Sequence, residues 1–526
     1  MTRSGHEVTG TAAERPAAPA PHRPAASPPL APAADSAAAR AVSRAAVLLI
    51  GALLLLVVVR LPWVGDLGIH AATVERLRTD LLSPGNPMVD ATGDSPYYSP
   101  WMLLLGILAK ATGLGTFTVL RIAALVSLAL LLTGIPHFVR TFTRRRSAPA
   151  LAVLCVLLLW GPVVFEWSGF PGLNSLALTL AYPSTFALGL SFHFWALLTK
   201  AVRSSASWPA SIGLGLMWAV IMLSHQFTGV VATFGALGVL LGARPWPGRA
   251  VWLRLGAGMT AGLVLLVGWP YYSFFGLFGV GGLEEIHRPL YTGLLPHFGF
   301  ALIGVAALVL RLRRDRRDPL VVFFALGALM VTAGWLTGHY SWGRALPAVL
   351  LPAQLAAALA MVTGGTRLVR NAFAAVVAAA LVAGAWTQAG VLGYVVRQDA
   401  LPPAVREKTR QPWAGYAWIT RYVPYGDTVM VKGRAARQIP AYGPYTVAPG
   451  YPDFFLPDQE QRLATVAEYF APGSSRAQRL DALQRYGARW VLQWRSDGGL
   501  QASDPALEKV AVGPNGQVLY RVVDAA

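Results

Sequence analysis

Cysteine is nearly absent from this sequence. The one residue of that type, Cys155, sits within an apolar run, which excludes an intrachain disulfide and a thiolate metal cluster. Charge is scarce too: 13% of the residues are Asp, Glu, Lys or Arg, with 25 acids against 44 bases. A soluble chain of 526 residues needs far more polar surface, so 55% hydrophobic residues and a mean hydropathy of +0.48 mark a polytopic membrane protein. No Gly-rich phosphate loop of either nucleotide-binding type occurs, which argues against a nucleotide-driven pump or kinase. A net charge of +19 would point to nucleic acid in a soluble domain. Here much of the excess lies in short loops between apolar runs, where arginine sets topology, and no nucleic-acid partner is expected. Heavy use of Ala, Arg, Gly and Pro points to a GC-rich bacterial genome.

The apolar runs define the organisation. Residues 1–40, rich in Ala, Pro and Ser, read as a disordered cytoplasmic tail. Eleven transmembrane spans follow within 41–395, at 44–61, 119–137, 149–165, 175–197, 208–224, 228–243, 252–270, 296–311, 319–336, 346–363 and 371–393. The first has no small-residue cleavage site at its end and reads as a retained helix. Every second loop is basic, holding Arg140 and Arg144–Arg146, then Lys200 and Arg203, Arg244 to Arg254, Arg311 to Arg317, and Arg367 and Arg370. The loops between carry chiefly Arg76, Arg78, Lys110, Arg288 and Arg344. By the positive-inside rule the N-terminus is cytoplasmic, and an odd number of spans leaves the C-terminal part extracytoplasmic. Making residues 97–113 a twelfth span would invert everything downstream. They are therefore expected to form an amphipathic or re-entrant helix on the outer face. Residues 396–526 regain charge and turn signals. Strands are expected at Thr428–Val431, Trp490–Gln493 and Val518–Val523, and helices at Arg462–Phe470 and Ala477–Tyr486, giving a small α/β domain.

Polar residues gather at the outer side. The long first loop, 62–118, opens with Asp66, His70, Glu75 and Arg76. In a helix, Asp66 and His70 are four apart and share a face. A carboxylate just beyond the first span can take a proton from an attacking hydroxyl or hold a divalent ion against a phosphate. The plainer reading is that Asp66 caps a helix and Glu75 pairs with Arg76 or Arg78. Asp90 and Asp94 add acids later in the loop. His225 falls in a very short outer turn at membrane depth, where an unpaired polar group is costly. Glu284, Glu285 and Arg288 flank His287 as a metal or sugar-binding edge, or as a solvated turn. Arg344 is a lone arginine in an outer loop, beside Tyr340 and Trp342. It either snorkels to headgroups or holds the phosphate of a lipid-linked donor while charge builds on it.

The conjunction resembles a GT-C type integral-membrane glycosyltransferase. The likeness rests on Asp66 after the first span, the surface helix Ser99–Leu105 ending in Lys110–Gly113, and a next span opening Val119-Leu120-Arg121. His225 in its short turn and the C-terminal α/β domain complete it. The resemblance implies a polytopic α-helical fold and a polyprenyl-phosphate sugar donor. The sugar would pass to an envelope glycan, lipid or protein acceptor in cell-wall biogenesis, among membrane lipids. It implies Asp66 as catalytic base or metal ligand and Arg344 at the donor phosphate; His70, Glu75, His225, Glu284, Glu285, Arg288 and Tyr340 are candidate substrate contacts by their positions on the outer side. A divalent cation, Mg or Mn, is open: the first loop has no Asp-x-Asp, and Asp66, His70 and Glu75 are the candidate ligands. Arg434, Tyr442, Trp490 and Trp494 are candidates for an acceptor surface. The alternative is a transporter or flippase, or a non-catalytic component of envelope polysaccharide assembly. A secondary transporter would carry internal repeats and helices broken near the midplane.

Overall fold

The computed structural model describes residues 1–2, 4–6, 37–204, 206–279 and 283–523. Most of the tail expected over 1–40 lies outside the described residues. The chain then runs as helices, opening with α1 (Ala37–Arg60), α2 (Leu67–Thr79), α3 (Pro100–Thr112), α4 (Thr116–Val139), α5 (Ala148–Leu158) and α6 (Leu173–Thr179). Next come α7 (Pro183–Ser204), α8 (Trp208–Ser224), α9 (Gln226–Leu241), α10 (Arg249–Val267), α11 (Glu284–His287) and α12 (Leu294–Phe298). The helical part closes with α13 (Leu302–Arg314), α14 (Pro319–Thr337), α15 (Pro347–Ala360), α16 (Arg367–Thr387) and α17 (Pro403–Arg406). Among the described residues, eight helical stretches are long and apolar enough to cross a membrane. The chain is a multi-pass membrane protein.

Two expected spans are shorter or broken. The run 149–165 stays helical only to Leu158. Pro162 biases Gly161 away from helical geometry, and Gly161 is packed so closely that a Cβ there would lie 2.2 Å from the carbonyl oxygen of Pro296. Residues 159–172 therefore become a loop. The run 175–197 divides at Pro183, where α7 starts with proline in its first turn, the one place that needs no backbone N–H.

Between the first spans, α3 occupies the stretch expected as a surface helix. Ser99 accepts from the Met102 amide at 3.2 Å, Pro100 follows it, and Gly113 closes the helix in the left-handed region. Trp101 stacks on Phe186 with ring centroids 4.0 Å apart, fixing α3 against α7.

The C-terminal part forms one five-stranded sheet ordered β2-β1-β3-β5-β4, from β1 (Thr428–Met430), β2 (Tyr445–Thr446), β3 (Ala488–Gln493), β4 (Leu507–Val512) and β5 (Val518–Val522). The strand β1 is parallel to β2 and β3; the connection from β1 to β2 runs through the 3-10 turn Ile439–Tyr442, and that from β2 to β3 through α18 (Gln459–Phe470) and α19 (Arg476–Arg485). The other pairs are antiparallel. Strand alternation splits the core: Met430 and Val491 pack with Val466, Phe470 and Leu483, while Val429, Trp490 and Leu492 pack with Tyr416 and Ile439. Trp490 is thus a core residue; its indole also donates to Asp427 at 2.9 Å.

This sheet domain grips the first loop. Arg76, 2% exposed, donates to the carbonyl oxygens of Gly443 and Pro444 at 2.6 and 2.9 Å and lies over the Tyr445 ring. Buried Asp453 accepts from Asn86 and Ser95 at 2.9 and 2.6 Å. Burial raises its pKa, and those donors offset part of the rise by favouring the carboxylate. Charge-assisted bonds of this kind contribute roughly 1.5–3 kcal/mol each, so loop and domain are held together firmly.

Candidate active site

A cavity of about 510 Å³ lies where the helical part meets the sheet domain. Asp66 forms part of its wall because two turns of backbone, at Leu61 and Gly65, place it there. The first helix ends at Arg60, Leu61 turns in the left-handed region at φ 47°, and Pro62 cannot extend the helix. Gly65 then takes φ 67°, a turn that suits glycine. The Tyr182 hydroxyl donates to the Val64 carbonyl at 2.7 Å and the Tyr451 hydroxyl to that of Gly65 at 2.6 Å, pinning the turn from both parts of the molecule. Asp66 stands at the N-cap of α2 without capping it. Its carboxylate makes no hydrogen bond or ion pair among the described residues, and it faces the cavity.

Although the Asp66 side chain is open to the cavity, protein surrounds it at longer range. This desolvation raises its pKa above the ordinary value, and the guanidiniums of Arg344, Arg437 and Arg410 oppose the rise. One turn on, His70 also lines the cavity, its ring edge-on to Tyr182 at 4.6 Å. Burial pushes His70 down to about 3, so the imidazole is neutral at pH 7.

Arg344 occupies the short 3-10 turn Tyr340–Ala345 that leads into α15. It is 7% exposed and has no acidic partner among the described residues, and its Nε is buried without a hydrogen bond. Its one hydrogen bond goes to His225 Nε2 at 3.2 Å. A guanidinium can only donate, so Nε2 accepts; on the other side of the ring Nδ1 lies 3.2 Å from the Thr228 amide and 2.8 Å from its hydroxyl. The rings of Phe227 and Trp167 lie 4.8 and 5.8 Å from the guanidinium carbon. A buried cation without a counter-charge is costly to fold around, which is why its usual explanation is an anion that arrives with a ligand.

Other residues complete the cavity. Glu166 and Trp167 come from the loop after α5, Arg410 and Arg437 from the chain beyond α16, and His287 from α11. Arg410 pairs with Glu166 at 3.3 Å, and Asn174 donates to the same carboxylate at 2.7 Å. Burial raises the Glu166 pKa against the pull of Arg410, and it holds His287 down near 4 with help from Arg344. With one Arg–Glu pair neutralised, two guanidiniums and one free carboxylate face the space. That arrangement can bind an anion at one place and accept a proton at another.

The expected site residues divide clearly. Asp66, His70, His225 and Arg344 line this one cavity. Glu75 does not: it accepts from the Thr116 hydroxyl and pairs with Arg78 at 2.8 Å. Nine residues from Asp66, at about 100° per residue, put it on the opposite face of α2. Glu284 accepts from the Ser341 amide and hydroxyl at 2.8 and 3.0 Å, bracing the Arg344 turn from outside the cavity. Glu285 and Arg288 form an exposed pair at 3.6 Å, and Tyr340 packs on Tyr291; none of them lines the cavity. Arg434, Tyr442, Trp490 and Trp494 also lie outside it. Of the candidate metal ligands, Asp66 and His70 share the cavity. Glu75 is committed elsewhere, and among the described residues no three of His, Cys, Asp and Glu converge.

No protein-family model matches this sequence, and no curated protein is significantly similar to it. Solved structures are similar in fold. The arabinofuranosyltransferase AftD from Mycobacteria superposes with a TM-score of 0.58 at 18% identity over 91% of this chain. The chain spans 40% of AftD's length. ArnT from Cupriavidus metallidurans gives 0.54 at 17% identity, with 92% of this chain and 98% of ArnT covered. The same protein with undecaprenyl phosphate bound gives 0.51. The fold is that of the GT-C glycosyltransferases. In this GT-C fold the cavity sits at one end of the helices, with Ser184 at the start of α7 and Ser224 at the end of α8. The arginine clusters occupy the other end, at Arg203, Arg249 and Arg311–Arg314.

Proposed function

We propose that this protein transfers a sugar from a polyprenyl-phosphate donor to a hydroxyl of an envelope acceptor, on the outer side of the cytoplasmic membrane. The observation that carries the reading is the presence, within one cavity, of a buried guanidinium with no ion pair, Arg344, and a carboxylate with no hydrogen bond or ion pair, Asp66, close enough to feel each other's charge. The donor phosphate binds Arg344, which His225, Trp167 and Phe227 hold in place. The acceptor hydroxyl attacks the anomeric carbon and gives its proton to Asp66. The bond from that carbon to the phosphate oxygen breaks, and the departing phosphate gains negative charge beside Arg344. Neutral His70 offers a hydrogen bond to the sugar without adding charge. No step is routed through a divalent ion: Asp66 takes the proton and Arg344 the phosphate charge.

The positive-inside rule supports the orientation: clustered arginines mark the cytoplasmic end, which leaves the cavity and the sheet domain outside. The likeness to ArnT with undecaprenyl phosphate bound supports a lipid-phosphate donor here. The test is to incubate purified protein with a panel of radiolabelled polyprenyl-phosphate sugars and a membrane glycolipid extract. Label moving from one donor into the acceptor fraction supports the reading. Donors that bind, compete with undecaprenyl phosphate and are never turned over would contradict it.

A further inference from the structure

A second cleft, of about 550 Å³, opens on the sheet domain beside the catalytic cavity. Arg437 lines both spaces. The rim of the cleft carries Lys432, Arg434 and Arg437, and no acidic residue lines it. Lys432 has a counter-charge in Asp497, at 3.0 Å. Arg434 and Arg437 have none among the described residues: Arg434 lies over the Trp413 ring at 5.7 Å, and Arg437 donates to the Gly450 carbonyl at 3.0 Å. Beneath the rim the floor is apolar, built from Phe470 and from Leu463, which is 48% exposed although it sits on a helix whose other face packs the core.

A cationic rim above an apolar floor fits a particular chemistry. The floor takes the C–H faces of sugar rings, and the guanidiniums take carboxylate or phosphate groups carried on them, bidentately where geometry allows. We propose that this cleft binds an anionic saccharide, and that this saccharide is the acceptor, passing Arg437 to bring its hydroxyl to Asp66. The acceptor role rests on the transfer reading; the binding site does not. Arg437 then serves both spaces, contacting the acceptor's charge and lowering the Asp66 pKa in the same position.

The test is isothermal titration of the full chain in detergent with pentagalacturonate, which carries a carboxylate on every ring, and with uncharged maltopentaose. Wild type is expected to bind pentagalacturonate at least tenfold more tightly. The preference should shrink from about 0.01 to about 1 M salt, as the screening length contracts from about 30 to about 3 Å. Arg434→Ala should weaken binding about tenfold and Arg434→Glu further. Arg434 is exposed, and unchanged melting temperatures of both variants would show the fold intact. Equal affinity for the two sugars, or wild-type binding by Arg434→Glu, would overturn the cleft assignment even where Asp66→Asn abolishes transfer. Selective binding by a protein that transfers no sugar would instead retain the site and remove its acceptor role.

Discussion

Replacing Arg344 by Met separates a phosphate-binding arginine from one that merely snorkels or packs. The side chain is 7% exposed, has one hydrogen bond to a neutral imidazole, and has no acidic partner. Removing it breaks no ion pair, though it takes away the charge that most favours ionised Asp66 and so raises the Asp66 pKa further. The direct structural loss is the donor to His225 Nε2, an unsatisfied acceptor worth about 1–3 kcal/mol at most, and cavity water reduces that figure. Met also removes a desolvated charge, a change that is neutral or favourable in other buried sites. Folding should survive with a small shift in melting temperature. Transfer should not. Loss of one preorganised group facing developing charge costs about 10²–10³ in kcat, or about 2.7–4 kcal/mol of barrier. Arg344→Lys keeps the charge but loses the planar fork, and should fall between. The assay is initial-rate transfer from the radiolabelled donor, with melting temperature measured on the same preparations. A folded Arg344→Met enzyme with wild-type turnover would remove the phosphate role. Activity lost only in proportion to unfolded protein would make the arginine structural.

Three further outcomes follow from the same geometry. Activity that needs the Asp66 carboxylate ionised rises with pH through its pKa, which burial sets above the ordinary 3.8. Arg437 lowers that pKa, so Arg437→Gln should move the acid limb of kcat/KM to higher pH, and a limb moved the other way would contradict the electrostatics. Glu75→Gln keeps an acceptor for Thr116 and loses only the half-exposed pair with Arg78, a cost of about 0–1 kcal/mol. It should transfer sugar at near wild-type rate, and a hundredfold loss in folded protein would return Glu75 to the site. EDTA should leave initial rates unchanged, whereas a loss restored by Mn or Mg would require a metal site built from other donors.

Much of the site could be read from the sequence because some positions are set by the membrane itself. Asp66 lies a few residues past a hydrophobic helix, and His225 and Arg344 lie in short turns. Their depth follows from where the apolar runs end. The strands at Thr428–Met430 and Ala488–Gln493 and the helices Gln459–Phe470 and Arg476–Arg485 fell where periodicity placed them, within a few residues. Glu75 is near Asp66 in sequence, but its phase on α2 is opposite, so the helix carries it away from the cavity. Glu166 and Trp167 fall just past the end of the expected span 149–165, in a short outer loop with no motif to mark them, and the structure opens that loop from residue 159. Arg410 and Arg437 had no local signal. They reach the cavity because the sheet domain folds back onto the first loop, through contacts such as Arg76 with Gly443 and Tyr451 with Gly65, and no spacing rule encodes those pairings.

The most direct measurement compares wild type with Asp66→Asn for transfer from a radiolabelled polyprenyl-phosphate sugar, with donor binding measured separately on both. Asn matches the carboxylate in size and cannot take the acceptor's proton. Transfer should fall by about 10²–10⁴ while donor affinity is retained. Equal transfer by the two proteins would show that Asp66 is not the base, and the central claim would fail.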